Sequence, residues 1–476
     1  MAFVQAPKRS PVSYGSCTDN NRKKCCQLTA DFFKSSVRRA RERNQRLNEM
    51  EERLQEPSQN ALERDQIWSA STRKEARYLR FLRTKDGPDN YSTVKIISNS
   101  PFGEVKLARK KADGKVYAIK SLVKTEMRER VRVASVQTEP DVLAESNSPW
   151  VVKLYTTFQD SYFLYMAMEF LPGGNLRTML IKYGGFPEDT ARFYMAECIQ
   201  AIGAVHKLSL VHRDMKPESI LLDRGGHIKL TDFGLSTRLH RLYDNNYYQQ
   251  LLQQGALNEQ RGRDPIPIDS TNSTISSRMH INEWRQSRRM LAGSTLDALN
   301  YMAPEILADQ GYSFGCDWWS LGTVMFECLV GWPPFCAENK VDTCRKIINW
   351  QQSLHIPDEI QLSVDADNLV RRLVCNTENR IGRGGAEELK AHPFFREVLF
   401  DDLRKIRAPF EPYIASDIDT THSSAEEIDQ TSNITLLKTQ SAQQVVGGSA
   451  YQNNETPEMS FPFIGYSFKR FENNFQ

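Results

Sequence analysis

Short hydrophobic segments dominate the part of the chain from Ser92 to Phe170. Each is rich in β-branched or aromatic residues and is bounded by turn residues, a pattern that predicts β-strands. The segments are STVKII (92–97), EVKLARK (104–110), KVYAIKSL (115–122), VVKLYTTF (151–158) and YFLYMAMEF (162–170). After Gly173 and Gly174 long helical segments replace them, for example 187–208. We therefore predict an α+β fold of two lobes, a small β-rich one and a larger α-rich one.

Helical patterns also precede the first strand. Residues 28–54 contain no Gly or Pro, and their apolar residues recur near i, i+4 spacing. Between Lys34 and Arg46 stand six basic residues and one acidic residue. A second helical stretch, Arg73–Lys85, ends at an Asp-Gly-Pro sequence, which is a stop signal. Such basic amphipathic helices either pack on a neighbour or dock on an acidic partner or a membrane surface.

Composition narrows the class of protein. The chain has 476 residues, 40% of them hydrophobic, and a net charge of +3, so no overall field draws it to nucleic acid. Nine scattered cysteines without a C-x-x-C motif are typical of reduced thiols inside cells. We find no signal-peptide core and no long apolar run, and we expect no membrane insertion. The expected location is the cytoplasm, with the cell cortex or nucleus as alternatives.

Polar stretches divide the chain into four parts. We predict a flexible tail (1–27), a helical region (28–86), a main domain (91–395) and a C-terminal extension (396–476). The main domain carries a Pro/Ser/Thr/Asn-rich insertion at about 243–290. The extension ends with the aromatic cluster FPFIGYSFKRF, in which Phe463, Tyr466 and Phe468 are predicted to fill a groove on the small lobe.

Four short motifs occur in the order that phosphoryl transfer requires: YAIK, HRD, DFG and APE. Each alone is weak, but together they are specific. In this chemistry, which needs positioning and charge neutralisation, Lys120 pairs with phosphates and Glu139 holds that lysine. Asp214 accepts the proton of the substrate hydroxyl, Lys216 screens the transferring phosphate and Asp232 chelates Mg²⁺. Glu305 of the APE motif is predicted to form an architectural ion pair with Arg380.

Several residues depart from this pattern. The glycine-rich loop reads SNSPFG (98–103), so two of three glycines are missing and Pro101 removes a backbone donor. Pro140 disfavours helical geometry at Glu139 and predicts a weakened pair with Lys120. Ser219 stands where an asparagine would bind a second Mg²⁺, and we assign it as a poorer ligand. Ala298 replaces a threonine that would link Asp214 to Lys216. Together these departures predict slow catalysis.

The chain resembles an AGC-type serine/threonine protein kinase of the NDR/LATS family, and its fungal polarity branch most. The segments that carry the resemblance are YLRFLRTK, SPWVVKLYTTFQD, MEFLPGGNL, SRRMLAGST, CDWWSLGTVMFECLVGWPPF and PFIGYSFKRF. The resemblance implies the two-lobed kinase fold, ATP and Mg²⁺ as cofactors, protein substrates phosphorylated on Ser or Thr, a MOB-type co-activator and an upstream activating kinase. It also suggests a role in morphogenesis.

The resemblance also implies roles for individual residues. The nucleotide would contact Ile97, Val105, Lys120, Glu139, Glu169 and Phe170. Phosphorylation sites would be Ser294 and Ser467, and an autoinhibitory stretch would contain Arg285, Arg288 and Arg289. A basic residue of the substrate would bind Glu218 and Glu327, while Asn175 removes a third acidic position. Arg38, Arg39, Arg41 and Arg43 would form the basic face for MOB.

Three hypotheses follow from these observations. The first is a MOB-regulated, slow kinase for basic-directed Ser/Thr substrates. The second is a pseudokinase that holds MOB or a sister kinase without turnover. The third is a decaying paralogue without a selected role. Stabilisation by nucleotide and a phosphorylation assay against Asp214→Ala would separate them.

Overall fold

The computed structural model describes residues 16–55, 61–100, 103–124, 139–140, 142–144, 146–160, 162–233, 237–238, 298–308, 313–337, 339–423, 466 and 468–470. The strands are β1 (Tyr91–Ser100), β2 (Gly103–Lys110), β3 (Val116–Val123), β4 (Leu154–Gln159), β5 (Phe163–Glu169), β6 (Leu210–Val211), β7 (Ile220–Leu222), β8 (Ile228–Leu230), β9 (Thr237–Arg238) and β10 (Phe468–Lys469). The helices are α1 (Ser16–Leu54), α2 (Ala61–Arg83), α3 (Leu176–Tyr183), α4 (Glu188–His206), α5 (Pro304–Leu307), α6 (Gly315–Val330), α7 (Lys340–Ile348), α8 (Trp350–Ser353), α9 (Val364–Leu373) and α10 (Ala386–Lys390).

The small lobe is an antiparallel sheet with the strand order β1-β2-β3-β5-β4-β10. Its five longer strands follow one another along the chain, whereas β10 comes from the C-terminal end and pairs with β4 at the edge. Aromatic residues fill one face: the ring of Phe158 stacks between those of Tyr91 and Tyr165, at centroid distances of 5.6 and 5.0 Å. This core fixes the strands that carry Lys120 and the nucleotide-facing residues.

The large lobe is built around α6, in which every residue is buried. A helix that is buried on all sides lies in the middle of a domain, and α4 and α9 pack against it. Gly322 allows the close approach of α9, because a Cβ there would lie 2.6 Å from the Cβ of Leu373. This central helix supplies Asp317, on which the catalytic loop rests.

Helices α1 and α2 belong to a separate compact unit. Within this unit Glu75 of α2 pairs with Arg46 of α1 at 3.0 Å and with Arg43 at 3.5 Å. Phe32, Phe33 and Val37 of α1 are more than half exposed. The apolar residues predicted from the sequence therefore lie open at the surface beside the basic residues.

The prediction of a two-lobed α+β fold is confirmed, and all five predicted strands form within a few residues of their predicted ends. One boundary is wrong: α1 begins at Ser16, inside the segment predicted as a flexible tail. That segment is polar but has no Gly or Pro after Gly15, so no residue there stops the helix. Within the described part of the chain no helix has the length and apolarity to span a bilayer.

Candidate active site

The loop between β6 and β7 carries the HRD motif and is fixed by Asp317 of α6. One carboxylate oxygen of Asp317 accepts a hydrogen bond from the backbone N–H of His212 and the other from that of Arg213, both at 2.8 Å. Nε2 of His206 also lies 2.8 Å from this carboxylate. Burial would raise the pKa of Asp317, but these partners outweigh it and lower the pKa. The loop therefore rests on a buried, ionised carboxylate.

Asp214 and Lys216 form the first ion pair of the site. Nζ of Lys216 donates to Oδ2 of Asp214 at 2.6 Å, and both side chains remain about one-fifth exposed. Burial alone would lower the pKa of Lys216, but Asp214 and Asp232 outweigh burial and raise it. Lys216 is therefore charged at neutral pH. Asp214 and Lys216 thus contact each other directly, although Ala298 replaces the threonine whose hydroxyl would link them.

Lys120 forms the second ion pair and reaches two carboxylates. Its Nζ donates to both carboxylate oxygens of Glu139, at 2.8 and 3.0 Å, and to Oδ1 of Asp232 at 3.2 Å. Burial would lower the pKa of Lys120, but the two carboxylates raise it above its usual value. The pair thus connects the small lobe to the DFG motif.

The expectation that Pro140 weakens this pair is wrong. Glu139 and Pro140 both have helical geometry, as do residues 142–144. The preference of a residue before proline for extended geometry is only statistical, and here a buried charge pair opposes it. The Glu139 side chain is nearly buried, so losing the pair would leave an uncompensated charge.

Asp232 is suited to bind a cation. Its backbone has a left-handed φ of 65°, and its side chain remains 40% exposed. Burial opposes ionisation, but Lys120 and Lys216 lower the pKa of Asp232. The next residue, Phe233, is fully buried, with its ring centroid 4.7 Å from that of His212. This contact connects the DFG motif to the catalytic loop.

Three of the predicted nucleotide contacts, Ile97, Val105 and Lys120, lie on the neighbouring strands β1, β2 and β3. In the sheet register Val105 of β2 stands opposite both Ser98 of β1 and Lys120 of β3. Val105 and Ile97 are half-buried. Gly103, the one retained glycine, is required by the sheet itself, because a Cβ there would lie 1.9 Å from the carbonyl oxygen of Ser121. The strands pair up to Ser100 and Gly103, on either side of the predicted loop tip.

Glu169 lies at the end of β5, in the predicted hinge 168–170, whose backbone groups are assigned to adenine, and its side chain is bound within the protein. Its carboxylate accepts hydrogen bonds from Nζ of Lys229 at 2.7 and 2.8 Å and from the backbone N–H of Lys153 at 2.7 Å. Its own backbone N–H donates to the carbonyl of Lys153. The side chain thus joins the hinge to β8. The nucleotide contacts of Glu169 and Phe170 therefore concern their backbone groups and stay a prediction; Phe170 is half-buried.

The structure also corrects the role of Ser219. The residue is fully buried, and its hydroxyl donates to the carbonyl of Lys216 at 2.8 Å while accepting from the N–H of Lys216 at 3.1 Å. These two bonds close a tight turn directly after Lys216. Ser219 therefore holds the catalytic loop in place and is not positioned as a metal ligand, because its side chain is short enough to fold back on its own turn.

Both predicted substrate-binding acids have partners within the protein. Glu218 forms an ion pair with Arg177 of α3, and Glu327, fully buried in α6, accepts a hydrogen bond from the Tyr301 hydroxyl at 2.5 Å. Neither glutamate is a free surface carboxylate. Asn175 caps α3, with its Oδ1 accepting from the N–H of Thr178.

The C-terminal segment joins the small lobe beside the site. The N–H of Phe468 donates to Oγ1 of Thr157 at 2.7 Å, and Oγ1 of Thr156 donates to the carbonyl of Phe468 at 2.9 Å. Sequence reasoning missed Arg470. Its guanidinium donates to the carbonyls of Leu143, Ala144 and Ser146, at 2.9 to 3.1 Å, and to that of Leu154. Arg470 thus caps the helical segment that carries Glu139.

Several predicted residues lie outside the described part of the chain. They are Phe463, the phosphorylation sites Ser294 and Ser467, the basic residues Arg285, Arg288 and Arg289, and the insertion from 243 to 290. Their assignments stay predictions. The architectural pair is confirmed, since Nη2 of Arg380 donates to Oε2 of Glu305 at 3.1 Å.

The fold and these charged groups define a protein kinase. A protein kinase domain model matches residues 91–252 and 282–395. The chain is 63% identical over 474 residues to serine/threonine-protein kinase cot-1 of Neurospora crassa, covering all of this chain and 79% of that protein. It is 45% identical to serine/threonine-protein kinase CBK1 of Candida albicans and of Saccharomyces cerevisiae. Those alignments cover 96% and 93% of this chain but 64% and 60% of the two relatives.

The chain belongs to the protein kinase family, and within it to the serine/threonine kinases of the NDR/LATS type. The resemblance seen in the sequence is thereby confirmed, and so is the prediction that the chain is an enzyme of this class.

Proposed function

We propose that this kinase transfers the γ-phosphate of ATP to Ser or Thr of protein substrates, slowly and under the control of a MOB-type co-activator. The observation that carries the proposal is the assembly of two ion pairs, Lys120–Glu139 and Lys216–Asp214, around Asp232. A pseudokinase that had lost turnover would not need to retain all five groups. The test is phosphorylation of a serine peptide by the purified chain, compared with a variant that lacks Lys120.

ATP and Mg²⁺ fit the residues present. Asp232 offers a partly exposed, ionised carboxylate for the metal, and Lys120 offers a charged ammonium for phosphates. When bound, Mg²⁺ neutralises charge on the phosphates. Glu139 orients Lys120, Asp214 accepts the proton of the substrate hydroxyl, and Lys216 places a positive charge beside that position. The small loop residues Ser98 and Ser100 replace glycines, which supports a rate below the ~1–100 s⁻¹ typical of kinases.

Replacing Ser219 by Ala separates its structural role from a role in metal binding. We expect Ser219→Ala to lower the free energy of unfolding by about 1–3 kcal/mol, because the N–H of Lys216 loses its partner and its carbonyl keeps only the backbone N–H of residue 219. The Mg²⁺ concentration that gives half-maximal activity should stay unchanged. Urea unfolding and a Mg²⁺ titration measure the two effects. An unchanged stability with a raised Mg²⁺ requirement would show that the hydroxyl is a ligand.

Arg470→Met tests whether the C-terminal segment supports Glu139. Loss of the guanidinium removes hydrogen bonds to four carbonyls, and we expect the free energy of unfolding to fall by about 1.5–3 kcal/mol. Activity should fall with it, because Glu139 would be held less firmly. The control is Lys469→Met, which removes one charge at the neighbouring position. Equal effects of the two variants on kcat/KM would contradict this role.

The basic face of α1 supports docking of an acidic MOB surface. Arg38 and Arg41 are exposed close to the open apolar residues Phe33 and Val37, whereas Arg43 already pairs with Glu75. We expect Arg38→Glu combined with Arg41→Glu to weaken MOB binding, and added salt to weaken it further. The control is Arg64→Glu combined with Arg73→Glu in α2, which changes net charge equally. Equal binding by both double variants would contradict the assignment.

The remaining expectations complete the proposal. Phosphorylation of Ser294 and Ser467 by an upstream kinase would add negative charge near basic residues of the neighbouring sequence, with which a phosphate can pair. Phosphate incorporation into Ser294→Ala and Ser467→Ala variants tests both sites. We further propose a cytoplasmic location, which imaging of a tagged chain tests. The preference for a basic residue that the resemblance implies depends on Glu218 and Glu327, and both acids have partners within the protein.

A further inference from the structure

Arg177 is the feature of the site that the reaction does not explain. It lies in the first turn of α3, which packs against the turn Pro217–Ser219 of the catalytic loop. The Asn175 cap fixes this turn of the helix: Oδ1 of Asn175 accepts from the N–H of Thr178 at 2.9 Å, and its own N–H donates to the Thr178 hydroxyl at 3.2 Å. The position of Arg177 is therefore set by the backbone of a capped helix.

The guanidinium of Arg177 meets the carboxylate of Glu218 directly. The arginine side chain is 5% exposed and the glutamate side chain 23% exposed, so the guanidinium lies deeper in the protein than the glutamate that it binds. A buried arginine keeps its charge, because its pKa lies far above neutral pH. The charge of Glu218 is therefore neutralised from within the protein: Arg177 binds its Oε1, and its Oε2 is buried, although the side chain as a whole stays partly exposed.

Glu218 is close to the reacting groups. It follows Lys216 by two residues and Asp214 by four, so a peptide whose hydroxyl reaches Asp214 must pass nearby. The second acid assigned to substrate binding, Glu327, is fully buried and bonded to Tyr301. The third position is the neutral cap Asn175. Of these three positions, only Glu218 keeps a partly exposed acidic side chain, and Arg177 already binds it.

We propose that Arg177 is a specificity-determining residue, which occupies Glu218 from within and so suppresses selection for a basic residue before the target Ser or Thr. The proposal rests on the proposed kinase function. A substrate arginine would have to compete with the guanidinium of Arg177, which is already buried and belongs to the same chain as Glu218. Internal pairing of this kind removes the differential affinity on which specificity depends. The enzyme therefore accepts serine peptides with and without a basic residue.

The test uses serine peptides that carry a single arginine at each position before the serine in turn, and an alanine parent. For the wild type we expect each arginine peptide and the parent to have kcat/KM values within about fivefold. Arg177→Met keeps a similar length without charge, and should favour one arginine peptide by about tenfold or more, the value of one charge-assisted hydrogen bond. Arg177→Lys keeps the charge and should behave like the wild type.

A second substitution shows whether the gain comes from Glu218. In the double variant Arg177→Met, Glu218→Gln the preference should disappear, as a double-mutant cycle requires for a direct pair. Melting curves identify any variant that fails to fold, and Arg177→Gln then serves as the second neutral variant. The proposal is overturned if the folded neutral variants show no new preference, or if the wild type already prefers arginine by far more than fivefold.

The same peptides, labelled with a fluorophore, give a readout that does not depend on turnover. Fluorescence anisotropy measures the Kd of each peptide for the wild type and each variant in the presence of a non-hydrolysable ATP analogue. If no protein phosphorylates any peptide, the proposed function fails. The ratio of Kd values for arginine and alanine peptides then still decides whether Arg177 masks Glu218.

Discussion

Asp214→Asn is expected to reduce kcat for peptide phosphorylation by about 10²–10⁴, the contribution of a positioned general base. Within the described part of the chain the Asp214 carboxylate accepts a hydrogen bond only from Lys216, and the loop itself rests on Asp317. The amide keeps the shape of the carboxylate but cannot accept a proton. The loss should therefore appear in kcat, while the fold stays intact.

Nucleotide binding separates this outcome from a general loss of structure. Lys120, Glu139 and Asp232 are unchanged in Asp214→Asn, so the increase of Tm with ATP should match that of the wild type. The control is Asp189→Asn at the start of α4, where the carboxylate is 89% exposed, and activity there should not change. Activity of Asp214→Asn within a few-fold of the control would mean that Asp214 is not the base.

Arg380→Ala is expected to have the largest effect on stability, about 3–5 kcal/mol, because it breaks a buried pair and leaves Glu305 as an uncompensated charge. The guanidinium of Arg380 is 1% exposed and also donates to the carbonyls of Gly315 and Cys375. It lies over the ring of Trp319 at 5.1 Å. Urea unfolding measures the loss, and activity should fall with the folded fraction.

The matched comparison removes both charges. Arg380→Met combined with Glu305→Leu should lose less stability than Arg380→Ala alone, since no buried charge is left without its partner. The control Arg371→Ala breaks an exposed pair with Asp367 in α9 and should cost about 0–1 kcal/mol. Equal losses for Arg380→Ala and Arg371→Ala would contradict the role of the buried pair.

Much of the site could be predicted from the sequence, because phosphoryl transfer requires particular residue types in a particular order. Lys120, Glu139, Asp214, Lys216 and Asp232 come together as the motifs indicate. The strands were predictable for a similar reason, since their apolar residues have strand spacing and turn residues separate them. The pair of Glu305 and Arg380 also followed from the motifs.

The other features of the site depend on side-chain contacts that the spacing of residues in the sequence does not reveal. The sequence shows that serine replaces the expected asparagine at position 219. Only the structure shows that the Ser219 hydroxyl donates to the carbonyl of Lys216. Arg177 and Glu218 are distant in sequence and meet because α3 packs on the catalytic loop. Arg470 binds backbone carbonyls. Because every residue has one, the sequence does not show which carbonyls it binds. The one available signal was a basic residue within the aromatic cluster FPFIGYSFKRF.

The most direct test of the central claim is the transfer of the terminal phosphate of ATP to a serine peptide by the purified chain and by its Lys120→Met variant. Both proteins should be prepared identically, with Mg²⁺ in excess and with the MOB-type co-activator present or absent. We predict steady, slow phosphorylation by the wild type and a loss of most of that rate in Lys120→Met, because the paired lysine no longer holds the phosphates. Rates that are equal in the two proteins, with both folded, would contradict the account and favour a scaffold without turnover.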